Sequence, residues 1–409
     1  MTTHHTRRGF RVAGLASASA LLLVLAACGT QSADTNSGGG DKASGGFTVP
    51  DIPMAESLGE NEGSLSVLAW PGYAEDGSTD PSVDWVTPFE QSTGCDVTVK
   101  TFATSDEAVQ LMKSGQYDVV SASGDASLRL IASGEVEPVN TDLVSNYADV
   151  WGFLKDRSWN SVNGHMYGIP HGYGANLLMW RTDIVKPAPT SWGAVFDENS
   201  PYAGKITAYD SPIYIADAAL YLMKTQPDLG IKDPYALDAD QLAAAVDLLK
   251  KQKTVIGEYW SDYTKEMGAF KSGDSVLGTS WQIIANLAQG EGTKVDVTLP
   301  VEGSTGWSDT WMVSSKTQHR NCAYAWLNHI ISPEANDAVA EWFGEAPANA
   351  KACDIATKGF CETFHAGDES YANQLYYWNT PVEQCLDGRT DVKCTTYADW
   401  TQAWTEIKG

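Results

Sequence analysis

The sequence is poor in basic residues for its length. Its 409 residues include 27 lysines and arginines against 52 aspartates and glutamates. A surface with this excess of negative charge repels nucleic acid and anionic lipid, so no nucleic-acid partner is expected. The acidity by itself names no ligand, because an exported protein also gains solubility from a large net charge.

The sequence also lacks the motifs of common catalytic sites. It contains no Gly-x-Ser-x-Gly elbow, no P-loop and no His-Glu-x-x-His helix. No two cysteines have the Cys-x-x-Cys spacing of a zinc site, so neither a metal nor a cofactor is expected. We therefore expect a binding protein rather than an enzyme. Two alternatives stay open: a cell-surface glycosidase, which also needs paired carboxylates in a cleft, and a structural adhesin.

Long apolar runs are absent except for one near the N-terminus. This run, residues 12–27, follows Arg7, Arg8 and Arg11 and ends in Leu-Ala-Ala before Cys28. The pattern is typical of a bacterial lipoprotein signal peptide, which would make Cys28 the lipid-bearing first residue of the mature chain. The arginine pair also fits twin-arginine export, so the export route stays open between Sec and twin-arginine.

The chain that follows Cys28 is predicted to be a tether and then a soluble body. Residues 28–63 are rich in Ser, Gly, Asp and Asn, which favours a flexible segment. No later stretch is long and apolar enough for a membrane span. The expected location is therefore extracytoplasmic, on a lipid anchor in the bacterial cell membrane.

Six cysteines remain once Cys28 carries a lipid. An even number in an oxidising compartment predicts three disulfides. Nearness in sequence favours two pairs in the C-terminal tail, Cys353 with Cys361 and Cys385 with Cys394, and leaves Cys95 with Cys322. The pairing itself stays open.

The body begins with an alternation of strands and helices. Residues 64–69, 95–102 and 117–121 read as strands, and residues 84–93 and 106–114 as the helices between them. This rhythm predicts a mostly parallel sheet with helices on both faces, whose ligands bind beyond the carboxyl ends of the strands.

A second series of the same kind begins after a glycine-rich stretch. Residues 167–174 are predicted to cross between two lobes, with His171 packed in the hinge. Strands at 176–180 and 204–208 and a long helix at 239–251 then continue the pattern. Two α/β lobes are therefore expected.

Five short motifs in this order resemble one family, the extracellular solute-binding proteins of ABC importers, and in particular their spermidine/putrescine-binding branch. The motifs are Trp70-Pro-Gly-Tyr73, Gly115-Gln-Tyr-Asp-Val-Val120, Tyr167-Gly-Ile-Pro170, Trp307-Ser-Asp309 and Gly344-Glu-Ala-Pro-Ala-Asn349. The resemblance implies an α/β, two-lobe type II periplasmic-binding-protein fold, in which each lobe is a mostly parallel sheet flanked by helices and hinge strands join the lobes.

The resemblance also implies a division of the chain. Residues 64–172 and about 283–312 would form lobe I, and residues 173–282 and about 313–350 would form lobe II. Residues 351–409 have no counterpart in the motifs and are expected to be a cysteine-rich C-terminal extension packed on the outside.

The binding sites of this branch hold the ligand's methylene chain between aromatic faces and its ammonium groups on carboxylates. By position, the residues implied for the site are Trp70, Tyr73, Ser123, Asp125, Asp210, Tyr214, Trp260, Asp262, Trp281, Trp307 and Asp309. One departure is visible, because Ile213 and Tyr214 stand where polyamine binders usually carry a further acid.

The function implied is that of a monomeric, lipid-anchored receptor. It would capture a polyamine or related small amine by lobe closure and deliver it to the membrane subunits of an ABC permease. Because one carboxylate of the polyamine pattern is missing, an amino-acid-like or other small organic solute stays an alternative.

Overall fold

The computed structural model describes residues 49–409. The predicted signal peptide, Cys28 and the first part of the tether lie outside the described residues. Residues 49–63, expected to belong to the flexible tether, lie instead against the body. Val49 and Ala55 are buried, and the Glu62 carboxylate accepts hydrogen bonds from the backbone N–H groups of Asn321 and Cys322. Two apolar side chains and one helix-capping carboxylate are thus enough to fix this segment.

The described residues form strands and helices in alternation. The strands are β1 Ser64–Ala69, β2 Asp96–Thr101, β3 Val119–Ala122, β4 Ser161–Val162, β5 His165–Met166, β6 Gly168–Ala175, β7 Leu177–Arg181, β8 Ile206–Tyr209, β9 Ile256–Trp260, β10 Leu277–Ser280, β11 Val295–Thr298, β12 Ser304–Val313, β13 Ala346–Pro347 and β14 Leu375–Tyr377. The helices are α1 Val86–Thr93, α2 Ser105–Met112, α3 Gly124–Ala132, α4 Gly193–Phe196, α5 Ile215–Thr225, α6 Ala239–Gln252, α7 Tyr263–Ser272, α8 Gln282–Gly290, α9 Arg320–Ile330, α10 Pro333–Phe343, α11 Phe360–Thr363, α12 Glu369–Ala372 and α13 Tyr397–Lys408.

Two mixed sheets organise these elements. The first sheet has the order β13-β6-β12-β3-β1-β2, with β14 beside β12. Its β1 runs parallel to β2 and β3, whereas β12 runs antiparallel to β3 and β6. The second sheet has the order β11-β7-β10-β8-β9, in which β8 is parallel to both of its neighbours. We call each sheet with the helices packed on it the first lobe and the second lobe.

The chain passes between the sheets twice. It leaves the first sheet at the end of β6, enters the second with β7, and returns between β11 and β12. The structure differs here from the expected division of the chain. The strand β11 belongs to the second sheet, and α9 packs on the first sheet through β1 and β12, because the Cys95–Cys322 disulfide ties it to the start of β2.

Buried apolar side chains form several clusters on the two sheets, and we call the two largest the first core and the second core. The first includes Phe89, Trp311 and Trp326, and the second includes Trp192 and Trp400. The predicted pairing preference of the tail cysteines matches the structure, which joins Cys353 to Cys361 and Cys385 to Cys394.

The C-terminal tail is not the outer elaboration that the sequence suggested. Its strand β14 pairs with β12 in the first sheet, and its helix α13 buries Trp400 and Trp404 in the core of the second lobe. The tail therefore contacts both lobes. Local sequence gave no sign of this, because the partners of these side chains lie far away in the chain.

Candidate functional site

Asp309 lies on β12 just beyond the carboxyl end of β3. The register pairs Thr310 with Ala122, the last residue of β3, so Asp309 stands beside Ser123. Its side chain is buried, with an exposure of 4%. Carboxyl ends of parallel strands are where ligands bind in folds of this kind.

The two carboxylate oxygens of Asp309 have different surroundings. The Tyr73 hydroxyl donates a hydrogen bond to Oδ2 over 2.9 Å, whereas Oδ1 accepts no hydrogen bond from any residue between 49 and 409. Burial raises the pKa of Asp309 to about 6, and the neighbouring Ser123 and Tyr73 hydroxyl groups limit the rise. A buried carboxylate with one open oxygen is suited to pair with a cation.

Aromatic rings flank this carboxylate on the first lobe. Trp307 lies two residues before Asp309 on β12 and so shares its face of the sheet. The Trp307 ring lies 6.0 Å from that of Phe343, at the end of α10, and Phe343 lies 4.5 Å from Tyr73. These rings form a continuous apolar surface around one acid.

The second lobe adds aromatic rings to the same surface. Trp281, which follows β10, lies 6.3 Å from Trp307, and Tyr209, the last residue of β8, lies 5.7 Å from Trp281. Burial raises the pKa of Tyr209, and the carboxylates of Asp125 and Asp309 raise it further. A hydroxyl group of the second lobe therefore faces acids of the first.

Two indole N–H groups of this surface, and a third one on Trp70, have no acceptor among the described residues. They belong to Trp70, Trp307 and Trp378, and all three nitrogen atoms are buried. Trp378 stacks on Tyr209 at 5.8 Å, and Trp70 packs against Phe102 at 4.4 Å. A buried donor without an acceptor costs about 1–3 kcal/mol, so oxygen atoms of a ligand or of ordered water are the partners these groups require.

One small cavity borders this aromatic surface. A cavity of about 20 Å³ lies beside Trp281 and Trp307 and is lined by residues of both lobes. It has room for about one water molecule. This cavity alone is therefore too small for an organic ligand.

Two of the predicted acids form hydrogen bonds or ion pairs with side chains of the C-terminal tail. The Asp125 carboxylate accepts hydrogen bonds from the hydroxyl groups of Ser105 (2.8 Å) and Tyr397 (3.3 Å). The Asp210 carboxylate accepts from the Trp404 indole (3.2 Å) and forms an ion pair with Lys408 (2.7 Å). Asp125 still lies near Asp309, whereas Asp210 faces helix α13.

Three further predicted residues have structural surroundings. Tyr214 is buried in the second core, where its hydroxyl accepts a hydrogen bond from Gln252. Asp262 is exposed and caps helix α7. Trp260 is buried behind the aromatic surface, 5.1 Å from the ring of Trp281. The structure thus places Tyr73, Ser123, Trp281, Trp307 and Asp309 together and leaves Tyr214 and Asp262 outside the group.

Four residues of the site were not predicted from the sequence. They are Tyr209, Phe343, Glu345 and Trp378. Tyr209 directly precedes Asp210 at a predicted strand end, and Glu345 lies inside the Gly344–Asn349 motif, so both had a local signal. Trp378 had none, because it belongs to the tail.

Within residues 49–409, no cluster of histidine, cysteine, aspartate and glutamate side chains could hold a metal ion. Over the same range, every helix is too short or too polar to span a bilayer.

Residues 84–360, more than half of the chain, match the family model described as bacterial extracellular solute-binding protein. Among characterised relatives, the Spermidine/putrescine-binding periplasmic protein of Escherichia coli is 23% identical over 302 residues, covering 73% of this chain and 81% of that protein. The Putrescine/agmatine-binding protein of Pseudomonas aeruginosa is also 23% identical, covering 66% of this chain and 76% of that protein.

Solved structures show the same fold. The substrate-binding protein of a spermidine/putrescine ABC transporter from Streptococcus pneumoniae superposes with a TM-score of 0.66 at 19% identity, covering 85% of this chain and 99% of that one. A putative spermidine/putrescine ABC transporter protein from Listeria monocytogenes gives 0.69 at 19% identity, with the same coverage. The predicted two-lobe type II periplasmic-binding-protein fold is thus confirmed, and the chain belongs to the bacterial extracellular solute-binding proteins, a family of transport receptors rather than enzymes.

Proposed function

We propose that this protein captures a small amine-bearing solute between its lobes and delivers it to the permease of an ABC importer. The observation that carries the proposal is the buried Asp309 carboxylate, whose Oδ1 atom accepts no hydrogen bond from the described residues and which shares a strand face with Trp307. An ammonium group is the ligand group that this combination of charge and aromatic surface favours.

The physical argument concerns the cost of removing an amine from water. A desolvated ammonium is strongly unfavourable unless a carboxylate pairs with it. Asp309 supplies that carboxylate, and each indole or phenol face adds about 0.5–2 kcal/mol of cation–π attraction. The methylene groups of the solute would pack on Trp281 and Trp307.

The number of free acids favours one ammonium group at the centre of the site. Asp125 is hydrogen-bonded to Tyr397 and Asp210 is paired with Lys408, so Asp309 is the acid left for the ligand. The similar relatives are named for spermidine, putrescine and agmatine, which supports the amine class. An amino-acid-like solute is the second candidate, favoured by the indole N–H groups of Trp307 and Trp378, which could donate to a ligand oxygen.

Lobe closure would couple binding to transport. We expect the ligand to enter an open form of the protein and to be enclosed when the lobes close on it. A ligand that contacts Tyr209 and Asp309 together binds the closed form better than the open one and shifts the population toward it. The permease would then recognise the closed form.

We further infer that the protein works outside the cytoplasmic membrane as a monomer carrying a lipid on Cys28. Cys28 lies outside the described residues, and the inference rests on the sequence that precedes it. Mass spectrometry of the mature N-terminal peptide tests the anchor, because an unmodified Cys28 or cleavage at another position would contradict it.

Isothermal titration at pH 7.5 with putrescine, butylamine and 1-butanol tests the ligand class. We expect both amines to bind and the alcohol, which has the same carbon chain as butylamine, to bind far more weakly. Asp309→Asn should lower amine affinity by roughly 10- to 150-fold, which corresponds to about 1.5–3 kcal/mol for a hydrogen bond to a charged group.

Asp262→Asn is the matched control, because Asp262 is an exposed acid at a helix cap. It should leave amine affinity unchanged. Equal losses in the two variants, or equal binding of butylamine and 1-butanol, would contradict the assignment of an amine to Asp309.

A further inference from the structure

A second buried acid lies directly behind the candidate site. The Tyr73 hydroxyl oxygen is 2.9 Å from Asp309 Oδ2 and 3.0 Å from Glu345 Oε2. Tyr73 and Glu345 have no exposed surface. One tyrosine therefore joins two carboxyl groups inside the protein.

The number of protons on the three groups limits which of them can donate a hydrogen bond to which. Burial raises the pKa of Tyr73 far above its usual value, so the phenol keeps its single proton. That proton can be donated to one carboxyl group only. The other short contact therefore requires a proton on a carboxyl group, which then donates to the tyrosine oxygen.

The histidine next to Glu345 indicates which carboxyl group carries the proton. The Trp311 indole donates a hydrogen bond to His171 Nδ1 over 3.0 Å, so the neutral ring carries its own proton on Nε2. That Nε2 atom lies 3.3 Å from Glu345 Oε1. Burial lowers the pKa of His171 to about 3, so no positive charge stands beside Glu345 to hold it ionised.

The other surroundings of Glu345 agree with a neutral acid. The titratable groups that bear on it are Tyr73, His171 and Asp309, and burial together with the negative charge of Asp309 raises the pKa of Glu345 well above its usual value. With Glu345 neutral, its proton is donated to Tyr73 and the proton of Tyr73 is donated to Asp309, while His171 Nε2 lies 3.3 Å from Glu345 Oε1 without the geometry of a hydrogen bond.

The neighbouring strand is shaped to hold this acid. A Cβ atom at Gly172 would lie 2.2 Å from the carboxyl carbon of Glu345, so any larger residue would displace the acid. The pairing of β6 with β12 shifts at this point, where Gly172 opposes Asp309 and Pro170 opposes Thr310. This bulge leaves His171 as the extra residue, and bulges commonly redirect a side chain beside a functional site.

We propose that Glu345 is a positioning residue for the ligand-binding acid. Its protonated carboxyl group donates to Tyr73 and thereby directs the tyrosine proton to Asp309 Oδ2. In the reverse arrangement Asp309 would be protonated and could not pair with an ammonium group. The part of this proposal that concerns the ligand rests on the proposed function, whereas the protonation of Glu345 does not.

Two substitutions separate the hydrogen-bonding role from a packing role. Glu345→Gln keeps a donor to Tyr73 in its amide nitrogen, and its oxygen takes the place of Glu345 Oε1 beside His171. We expect it to retain putrescine affinity within about threefold. Glu345→Met keeps the volume but cannot donate, and should lower the affinity roughly tenfold because the Tyr73 oxygen loses the hydrogen bond that holds its hydroxyl in position toward Asp309.

Infrared spectroscopy of the unliganded protein in D₂O at pH 7.5 tests the protonation directly. The carbonyl band of a protonated carboxylic acid should be present in the wild type and lose intensity in Glu345→Gln. Glu266→Gln is the matched control, since Glu266 is a buried acid of the second lobe hydrogen-bonded to Ser280 and Thr207. It should alter the same spectral region without changing putrescine affinity.

The results that would overturn the proposal are distinct. An unchanged carbonyl band in Glu345→Gln would show that Glu345 is ionised, as would a loss of affinity as large as that of Glu345→Met. Wild-type affinity in Glu345→Met would show a packing role alone. If the wild type binds no amine, the proposed function fails, while the infrared band still decides the protonation of Glu345. The same band decides it if Glu345→Met does not fold.

Discussion

Replacing Asp309 by asparagine should make the unliganded protein more stable at neutral pH. Burial raises the pKa of this acid from 3.8 to about 6 in the folded protein. The folded state then binds the proton more tightly than the unfolded chain does, so the stability present below pH 3.8 is lost as the pH rises through 6. The difference of about two pKa units corresponds to about 3 kcal/mol at pH 7.5.

Urea denaturation of both proteins at pH 4 and pH 7.5 measures this effect. At pH 7.5 Asp309→Asn should unfold with a free energy about 3 kcal/mol larger than the wild type, whereas at pH 4 the two should differ by less than about 1 kcal/mol. Asp262→Asn serves as the control, because asparagine caps a helix as well as aspartate does and little change is expected at either pH.

Two outcomes would refute the reasoning. If Asp309→Asn is no more stable than the wild type at pH 7.5, ionising Asp309 does not lower the free energy of unfolding. If the gain is the same at both pH values, it comes from packing and not from charge. The expected result, a variant that is more stable but binds amines poorly, is the pattern of a residue kept for its ligand at a cost in stability.

Two other predictions concern the disulfides and lobe closure. Cys95 and Cys322 close a loop of 227 residues, whereas the two tail disulfides close loops of 8 and 9 residues. In urea denaturation, replacing Cys95 and Cys322 by alanine should lower the free energy of unfolding by about 5 kcal/mol, and removing either tail disulfide should lower it by about 2.5 kcal/mol. Equal losses would contradict the view that a disulfide acts by restricting the unfolded chain. Trp307→Phe should remove most of the change in tryptophan fluorescence that putrescine induces. The control is Trp326→Phe, which should leave that change intact because Trp326 is buried in the first core. The reverse result would place the ligand away from Trp307.

Local sequence predicted the repeating elements of both lobes well. The first strand was predicted and found at residues 64–69, and the long helix predicted at 239–251 is α6, Ala239–Gln252. These elements follow from patterns that a few adjacent residues carry: alternation of apolar side chains in the strand, and Asp238 with Gln241 forming a capping box at the helix start.

The site was harder to predict because its chemistry depends on contacts that are remote in sequence. Motif order placed Tyr73, Trp307 and Asp309 in one group, and the structure brings these three together. The same motifs could not reveal that Asp125 meets Tyr397 over a separation of 272 residues. No pattern of neighbouring residues encodes a partner at that distance.

The number of acids in a sequence is therefore a poor guide to the charge that a ligand meets. This chain has 52 aspartates and glutamates, yet the C-terminal tail pairs with Asp125 and Asp210, and Glu345 is neutral if the proton count around Tyr73 holds. In the proposed site, the acidic atom that remains for the ligand is one oxygen of Asp309. Selectivity among amines then depends on which carboxylates the protein leaves without an internal partner, and in this fold the tail makes much of that choice.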